Sequence, residues 1–479
     1  MASERPNVLW MCADQQRWDT IGALGNPHVH TPNLDRLAAA GMAFTHTYCQ
    51  SPICTPSRAS FLTGRYPSNV RVNTNGATSF PPDVTLVTRR LADAGYTCGL
   101  AGKLHLAGAY YGREARTDDG YSFFQYSHGP RDDWQRGHDY ADWIRAQGED
   151  PAEVLRPRNE GPHGVAPPTA TSDNVPPHLH QTTWCAEQAV AFMEQPHDGP
   201  WLMSVNCYDP HPPYNPPWEY YRRFDPATLP GPHFRESDLA HQRTLAGAYF
   251  QTEAEPPDAY DGAGGRVVQA LYYAMIEQVD DAVGRMLDAL ERTGQRKNTV
   301  VIFMGDHGEA LGDHGLAHKG CRFSDGLTRV PLLWSWPGRF AAGRTSEALV
   351  ELTDIAPTLM ALAGLPVPGE MQGRSLLPIL SGETDADTHR EYVRCEYHDA
   401  LHRPGQETYG TMYRDRRWKL IVYHGLGVGE LYDMEADPHE FDSLWDDPAH
   451  AGVKAELLVK SFDATVRAMD HGSRSVMPF

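Results

Sequence analysis

Residues 299–308 read TVVIFMGDHG. A run of apolar and β-branched residues with no polar interruption describes a strand buried on both faces, as parallel strands are when helices cover them. The run breaks into a glycine-bounded pair, Asp306-His307. Three other runs repeat this pattern: VLWMCA (8–13) ends in Asp14-Gln15, YTCGLA (96–101) in Gly102-Lys103-Leu104-His105, and WLMSVNC (201–207) in Asp209-Pro210-His211. Amphipathic stretches lie between them. One opens at Thr31-Pro32 and stops at Gly41, one spans about Asp83 to Gly95, and one spans about Arg266 to Arg292 with apolar residues at three- and four-residue spacing. The fold class is therefore α/β, with a mostly parallel central sheet flanked by helices. Ligands of such sheets bind beyond the carboxyl ends of the strands, so four polar clusters in that position converge on one place. Asp14, Gln15, Asp306 and His307 together make a mostly oxygen donor set that suits a divalent cation.

The composition narrows the function classes. The chain has 479 residues, 42 of them Lys or Arg against 62 Asp or Glu, for a net charge of −20. That balance argues against nucleic acid as a partner, because phosphate neutralisation needs clustered cations. No apolar run approaches the ~20 residues needed to cross a bilayer. The N-terminus, MASERPNVLWMCADQ, lacks a basic segment followed by a long apolar one, so the chain reads as a soluble, unexported, cytoplasmic protein. Eight cysteines (12, 49, 54, 98, 185, 207, 321, 395) stand without CxxC pairs, which disfavours a disulfide framework or a zinc knuckle.

Segments from about Ala107 to Pro177 and from Asp209 to Gly264 are rich in Pro, Gly, His and Asp and show no sustained period. They read as long excursions above the sheet, as substrate walls or as peripheral insertions. After LAGLPVPGEMQGRSLLPILSG the texture changes to EYVRCEY, TYGTMYRD, WKLIVYHG and GELYDME, with a last helix near 448–468. The expected division is a catalytic domain over 1–375 and a small C-terminal subdomain over 376–479, an antiparallel sheet with a helix. In it, His398, His402, Arg403 and Tyr413 read equally as residues at the mouth of the site or as ordinary surface and packing positions.

The most specific stretch is YCQSPICTPSRASFLTGRYPS, 48–68. Pro56 suits the opening of a helix and Gly64 its end, placing Cys54 just before the helix and Arg58 one turn in. A helix N-terminus offers free N–H groups to an oxyanion or an activated nucleophile, yet a lone cysteine there reads equally as an inert core thiol.

Cys54-Thr55-Pro56-Ser57-Arg58 with Leu62-Thr63-Gly64-Arg65 resembles the C-x-P-S-R and L-T-G-R signature of type I sulfatases, and Gly102-Lys103-Leu104-His105 resembles their second signature. The likeness extends through TPNLDRLAAAG and LTDIAPTLMALAGL. It implies the alkaline phosphatase superfamily fold and a cysteine converted after translation, by a formylglycine-generating enzyme, to formylglycine. It implies that Asp14, Asp306, His307 and residue 54 ligate one divalent metal, that Arg58 holds the hydrated aldehyde, that Lys103 and Lys319 grip sulfate oxygens, and that His105 and His211 handle protons. It further implies two chemical steps, attack of a diol oxygen on sulfur and then release of sulfate as the aldehyde re-forms. The substrate so implied is a sulfate monoester of a sugar, a small alcohol or an aryl group.

The likeness has departures. Many sulfatases carry Asp-Asp after the first strand and Asp-Asn after the late one, where this chain has Asp14-Gln15 and Asp306-His307. Family grounds keep Ca²⁺ first, while the neutral amide and the imidazole bring Mn²⁺ close behind, since Mn²⁺ accepts nitrogen readily and Ca²⁺ rarely. These pairs also resemble those of choline sulfatases and of phosphonate monoester hydrolases, though the latter generally replace the pair found here as Lys103 and His105. A phosphonate monoester or phosphodiester is thus the alternative substrate, and a noncatalytic binding protein with unconverted Cys54 the remote one. A second triplet, Asp313-His314-Gly315, reads as a loop returning the chain to Lys319 rather than as a second metal site. A homo-oligomer is compatible with the sequence.

Overall fold

The computed structural model describes residues 5–109, 112–129, 137–156, 175–248, 254–257, 265–402 and 404–469. Eight strands form the main sheet: β1 (Asn7–Ala13), β2 (Met42–Tyr48), β3 (Thr97–Gly102), β4 (Phe123–Tyr126), β5 (Trp201–Cys207), β6 (Thr299–Gly305), β7 (Arg329–Ser335) and β8 (Arg344–Glu351). Their order is β4-β3-β5-β1-β6-β7-β2-β8. All neighbours are parallel except β7, which runs antiparallel to both β6 and β2. The four runs that end in polar clusters are thus four consecutive neighbours, β3, β5, β1 and β6.

Side chains of β1 alternate between two cores, as the two-residue period of a strand requires. Val8, Trp10 and Cys12 enter one core, shared with Phe61, Leu62, Ile355 and Leu359. Leu9, Met11 and Ala13 enter the other, with Trp184, Phe192, Val283 and Met286. Helices Gln181–Glu194 and Gly265–Arg292 cover that second face. Burial on both faces is why these strands read as unbroken apolar runs.

Four more strands, β9 (Val393–His398), β10 (Tyr409–Arg414), β11 (Trp418–Tyr423) and β12 (Val428–Asp433), form an antiparallel sheet in the order β12-β11-β10-β9. The last helix, Ala451–Ala468, packs on one face of it through Leu457 and Ala464, against Tyr413 and Leu420. From its other face Cys395, Met412, Ile421 and Tyr423 join the main core. Among the described residues no helix is long and apolar enough to cross a membrane.

Candidate active site

The hydrogen-bond ladder of the main sheet runs one residue past the strands. Lys103 N donates to Asn206 O at 3.0 Å, Asp14 N to Cys207 O at 3.2 Å and Asp306 N to Ala13 O at 3.4 Å. Asp14 and Asp306 therefore stand on adjacent strand ends, and Lys103 stands two strands from Asp14, across β5. Beyond this row the chain turns sharply, with Gln15 and His105 at φ of 69° and 56°, a region costly for residues with a Cβ. The buried Asp306 carboxylate secures the turn by accepting from Gln15 N at 2.8 Å and from His307 N at 2.9 Å. A side chain at Gly308 would set its Cβ 1.9 Å from the carbonyl oxygen of Gly326, which explains the glycine after the Asp-His pair.

The segment bearing Cys54 forms an α-helix over Cys54–Thr63, all ten residues buried, ended by Gly64 in the left-handed region at φ 70°. Cys54 is its first residue rather than the one before it. Ile53 is the N-cap and offers no side-chain cap, so the sequence lacked the usual start signal. Ser57 Oγ donates to Asp306 O at 2.5 Å, tying the helix to the end of β6.

Cys54 Sγ lies 2.8 Å from Lys319 Nζ, 3.2 Å from His307 Nε2, 3.6 Å from Asp14 Oδ1 and 3.7 Å from Lys103 Nζ. Burial opposes charge on the thiol, but Lys103, Lys319 and His307 outweigh it and hold its pKa well below the ordinary value. Lys103 Nζ also donates to Asp14 Oδ2. Arg58, 1% exposed, spans the back of the site. Its Nε donates to Asp306 Oδ2 at 3.0 Å and its Nη1 to Lys103 O at 3.0 Å. Gln15 bridges Lys319, whose Nζ donates to Oε1 at 2.7 Å, and the buried Glu309, which accepts from Nε2.

The donor atoms of Asp14, Cys54, Asp306 and His307 all lie within 4.8 Å of one another and are buried. His307 Nδ1 lies 2.8 Å from Gly308 O, so Nδ1–H donates there and Nε2 is presented to the cluster. Two carboxylates, an imidazole nitrogen and residue 54 fit a divalent cation such as Ca²⁺ or Mn²⁺.

A cavity of ≈ 360 Å³ opens over this cluster, lined in part by Cys54, Lys103, His105, His211 and Lys319. Burial and Lys103 push the His105 ring down to about 3, and burial and Lys319 lower that of His211. Both are neutral near pH 7. Lys319 keeps its proton, since Cys54 and Asp14 outweigh the cost of its burial.

The structure brings Asp14, Gln15, Cys54, Arg58, Lys103, His105, His211, Asp306, His307 and Lys319 into this one cluster and adds others that the sequence did not reveal. His128 stands edge-on to His105 with ring centroids 4.5 Å apart, and Asn75 and Tyr208 also line the cavity. Asn75 Oδ1 accepts from Thr55 Oγ1 at 3.1 Å, while Asn75 N donates to Ala400 O at 2.7 Å. Glu114 accepts from the backbone N–H of His105 at 2.9 Å. These are single polar residues in aperiodic loops, and no spacing marks them. The turn after β9 thus meets the rim through backbone. Tyr413 is packed beneath the last helix, and His402 is bound to Asp399. Neither these nor His398 is among the residues lining the cavity, and Arg403 lies outside the described residues. Asp313 of the second triplet accepts from Arg17 Nη1 at 2.8 Å, and His314 faces Asp238.

The sulfatase family model matches residues 6–365, and a model described as N-sulphoglucosamine sulphohydrolase, C-terminal, matches 312–465. An uncharacterized sulfatase, YidJ, of Escherichia coli K12 is 30% identical over 98% of this chain and 88% of its own. An arylsulfatase of Clostridium perfringens is 28% identical over 92% of this chain and 90% of its own. The crystal structure of a phosphonate monoester hydrolase of Agrobacterium radiobacter superposes with a TM-score of 0.82 at 28% identity, covering 97% of this chain and 96% of that one. On the match that spans its main sheet and every residue of the cluster, the chain belongs to the sulfatase family.

Proposed function

We propose that this protein hydrolyses sulfate monoesters of a sugar, a small alcohol or an aryl group, with residue 54 acting as formylglycine. The observation that carries the reading is the setting of Cys54 Sγ: next to a buried four-donor cluster, with the ammonium groups of Lys319 and Lys103 at 2.8 and 3.7 Å. Asp14, Asp306, His307 and residue 54 would hold one divalent cation, with the Gln15 amide at the edge of the set. That cation would supply Lewis-acid stabilisation of charge on the ester oxygens. Formylglycine would supply a hydrated aldehyde, whose second hydroxyl allows sulfate to leave without attack by water.

The remaining work falls to side chains of the chain itself. Lys103 and Lys319 oppose charge on the nonbridging and leaving oxygens, and at ~4 Å each unit charge is worth roughly 4 kcal/mol at an effective dielectric of 20. Arg58 holds Asp306 and the Lys103 carbonyl in register and faces the diol. Lys319, which keeps its proton, is the group able to pass one to the departing alcohol, and His211 would do so when protonated. His105, neutral at working pH, is the group able to take one from the second hydroxyl. Maturation would require a formylglycine-generating enzyme acting on the Cys54-Thr55-Pro56-Ser57-Arg58 segment.

A second reading, hydrolysis of phosphonate monoesters or phosphodiesters, is favoured by Gln15, by His307 and by the likeness to the phosphonate monoester hydrolase. One experiment separates the two. Enzyme with formylglycine at 54 verified by mass spectrometry is assayed on a sulfate ester, a phosphodiester and a phosphonate monoester of the same leaving group. The expected order has the sulfate ester first in kcat/KM, and the opposite order establishes the second reading. Cys54→Ala is expected to remove either activity by about 10⁴-fold or more. Full activity in that variant contradicts both.

A further inference from the structure

The last helix, Ala451–Ala468, has a second apolar face that no described residue covers. Of the large apolar side chains exposed among the described residues, Leu458, Val459, Phe462, Val466 and Met469 all lie on this helix or at its end, with Phe462 67% and Val459 62% exposed. The face that packs on the second sheet is a different one, built from Leu457 and Ala464. Val459, Phe462, Val466 and Met469 follow one another at steps of three, four and three residues, the spacing of a seam between two helices. An isolated exposed leucine needs no explanation, but a continuous apolar seam on a monomer does.

The charges beside the seam name the occupant. Glu456, Lys460, Asp463 and Arg467 are exposed and share one flank, by the 100° turn per residue. Their signs alternate along the helix and invert when it is read backwards. A second copy laid antiparallel, with a two-fold axis midway between Ser461 and Phe462, therefore sets Glu456 level with Arg467 and Lys460 level with Asp463, and brings the two Phe462 side chains together. A parallel copy would set this flank against the opposite one, where Leu458, Ser461, Thr465 and Ala468 offer no charge to pair with it. Within one chain Lys460 already pairs with Glu456 at 2.7 Å, so the second copy extends an existing ion pair into a network. We propose that the protein is a two-fold homodimer built on antiparallel packing of this helix.

Sedimentation equilibrium of the full chain from about 0.1 to 100 µM tests this. The expected mass is twice the 53.3 kDa of one chain. Phe462→Asp is expected to weaken the dimer roughly 30-fold or more, the size of a central hot spot. Because the side chain is exposed, circular dichroism and turnover should stay unchanged. Glu456→Arg alone should weaken the dimer, and Glu456→Arg combined with Arg467→Glu should restore it. A monomer at every concentration overturns the proposal, as does a dimer indifferent to Phe462→Asp. A full chain that stays monomeric while one ending at Met469 dimerises also overturns it, because residues 470–479 would then be the cover. So does a monomer that pellets with anionic vesicles, which would make the stripe a lipid-binding face.

Discussion

Of the clusters of buried charge among the described residues, two make a contrast, one at the carboxyl ends of the main strands and one between the two sheets. In the second, Lys419 Nζ from β11 reaches Asp325 Oδ1 at 2.9 Å and Glu440 Oε1 at 2.6 Å. Arg329 Nη1 of β7 lies 3.3 Å from Asp325 Oδ2, and Arg414 Nε of β10 lies 4.0 Å from Oδ1. Asp325 N also donates to Glu440 Oε2 at 2.6 Å. This cluster ties chain to chain across the seam where the sheets meet. The first cluster has similar numbers of each sign but opens on a cavity. Its cations, Lys103 and Lys319, are shared between carboxylate, amide and residue 54. Charge that is closed on itself specifies a structure, whereas charge facing a cavity is arranged for a ligand.

Substitution should separate the two. Lys419→Ala leaves two carboxylates buried without their shared cation, a loss expected to cost about 3–5 kcal/mol of stability. Turnover per folded molecule should be unchanged, as judged by chemical denaturation alongside assays at low temperature. Lys103→Ala should do the reverse. It removes a donor aimed at developing charge, for which a loss of about 10²–10³ in kcat/KM is expected, or roughly 3–4 kcal/mol. Its denaturation midpoint should move little in the metal-loaded protein. If Lys419→Ala lost activity as a native fold, or Lys103→Ala lost only stability, the contrast would fail.

The same contrast governs what the sequence disclosed. The four site-bearing strands were legible to within a residue, because burial on both faces leaves an apolar run and the polar residues of the cluster follow it directly. Helix starts were less legible. The helix expected from about Asp83 to Gly95 forms only over Val87–Asp93, and its N-cap Leu86 provides no capping side chain. The reversal of β7 left no mark, since an antiparallel strand buried on both faces has the same apolar texture as a parallel one. The seam cluster was equally silent: Asp325, Arg329, Arg414, Lys419 and Glu440 come from separate elements, and only packing of the sheets joins them. His128 and Asn75 were missed for the same reason.

Glu430 offers a pH test at the same seam, between β12 and the helix Glu236–Thr244. Burial opposes its charge, but hydrogen bonds from His241 Nε2 at 3.0 Å and from the Tyr423 and Tyr432 hydroxyls at 2.7 Å lower its pKa to about 2. A carboxylate depressed from its ordinary ~4.5 contributes stability that is complete above pH ~4.5 and lost as pH falls toward 2, here of the order of 3 kcal/mol. Glu430→Gln should therefore flatten the dependence of stability on pH between about 4.5 and 2, with little change in the pH dependence of turnover near neutrality. An acid limb of the stability curve identical in wild type and variant would remove Glu430 from the account.

The smallest expected effect lies at Gln15, where the contrast is finest. Its amide has one end on the Lys319 ammonium, which faces the cavity, and the other on buried Glu309, so it touches both a cation of the cluster and a buried anion. An aspartate here would face Glu309 and hold Lys319 by full charge, whereas a neutral amide holds that lysine by one hydrogen bond and leaves its charge available to the ester. Gln15→Ala should accordingly lower kcat/KM by about tenfold and weaken metal binding by a similar factor, the range of residues that orient a metal's ligands. Metal titration followed by mass spectrometry of the folded protein reads the second quantity apart from the first. Loss of far more than a hundredfold in metal affinity would make the amide a full ligand, and retention of both quantities would reduce it to packing. The tenfold outcome is expected because Gln15 carries no charge of its own, and its effect comes through how it holds Lys319 beside residue 54.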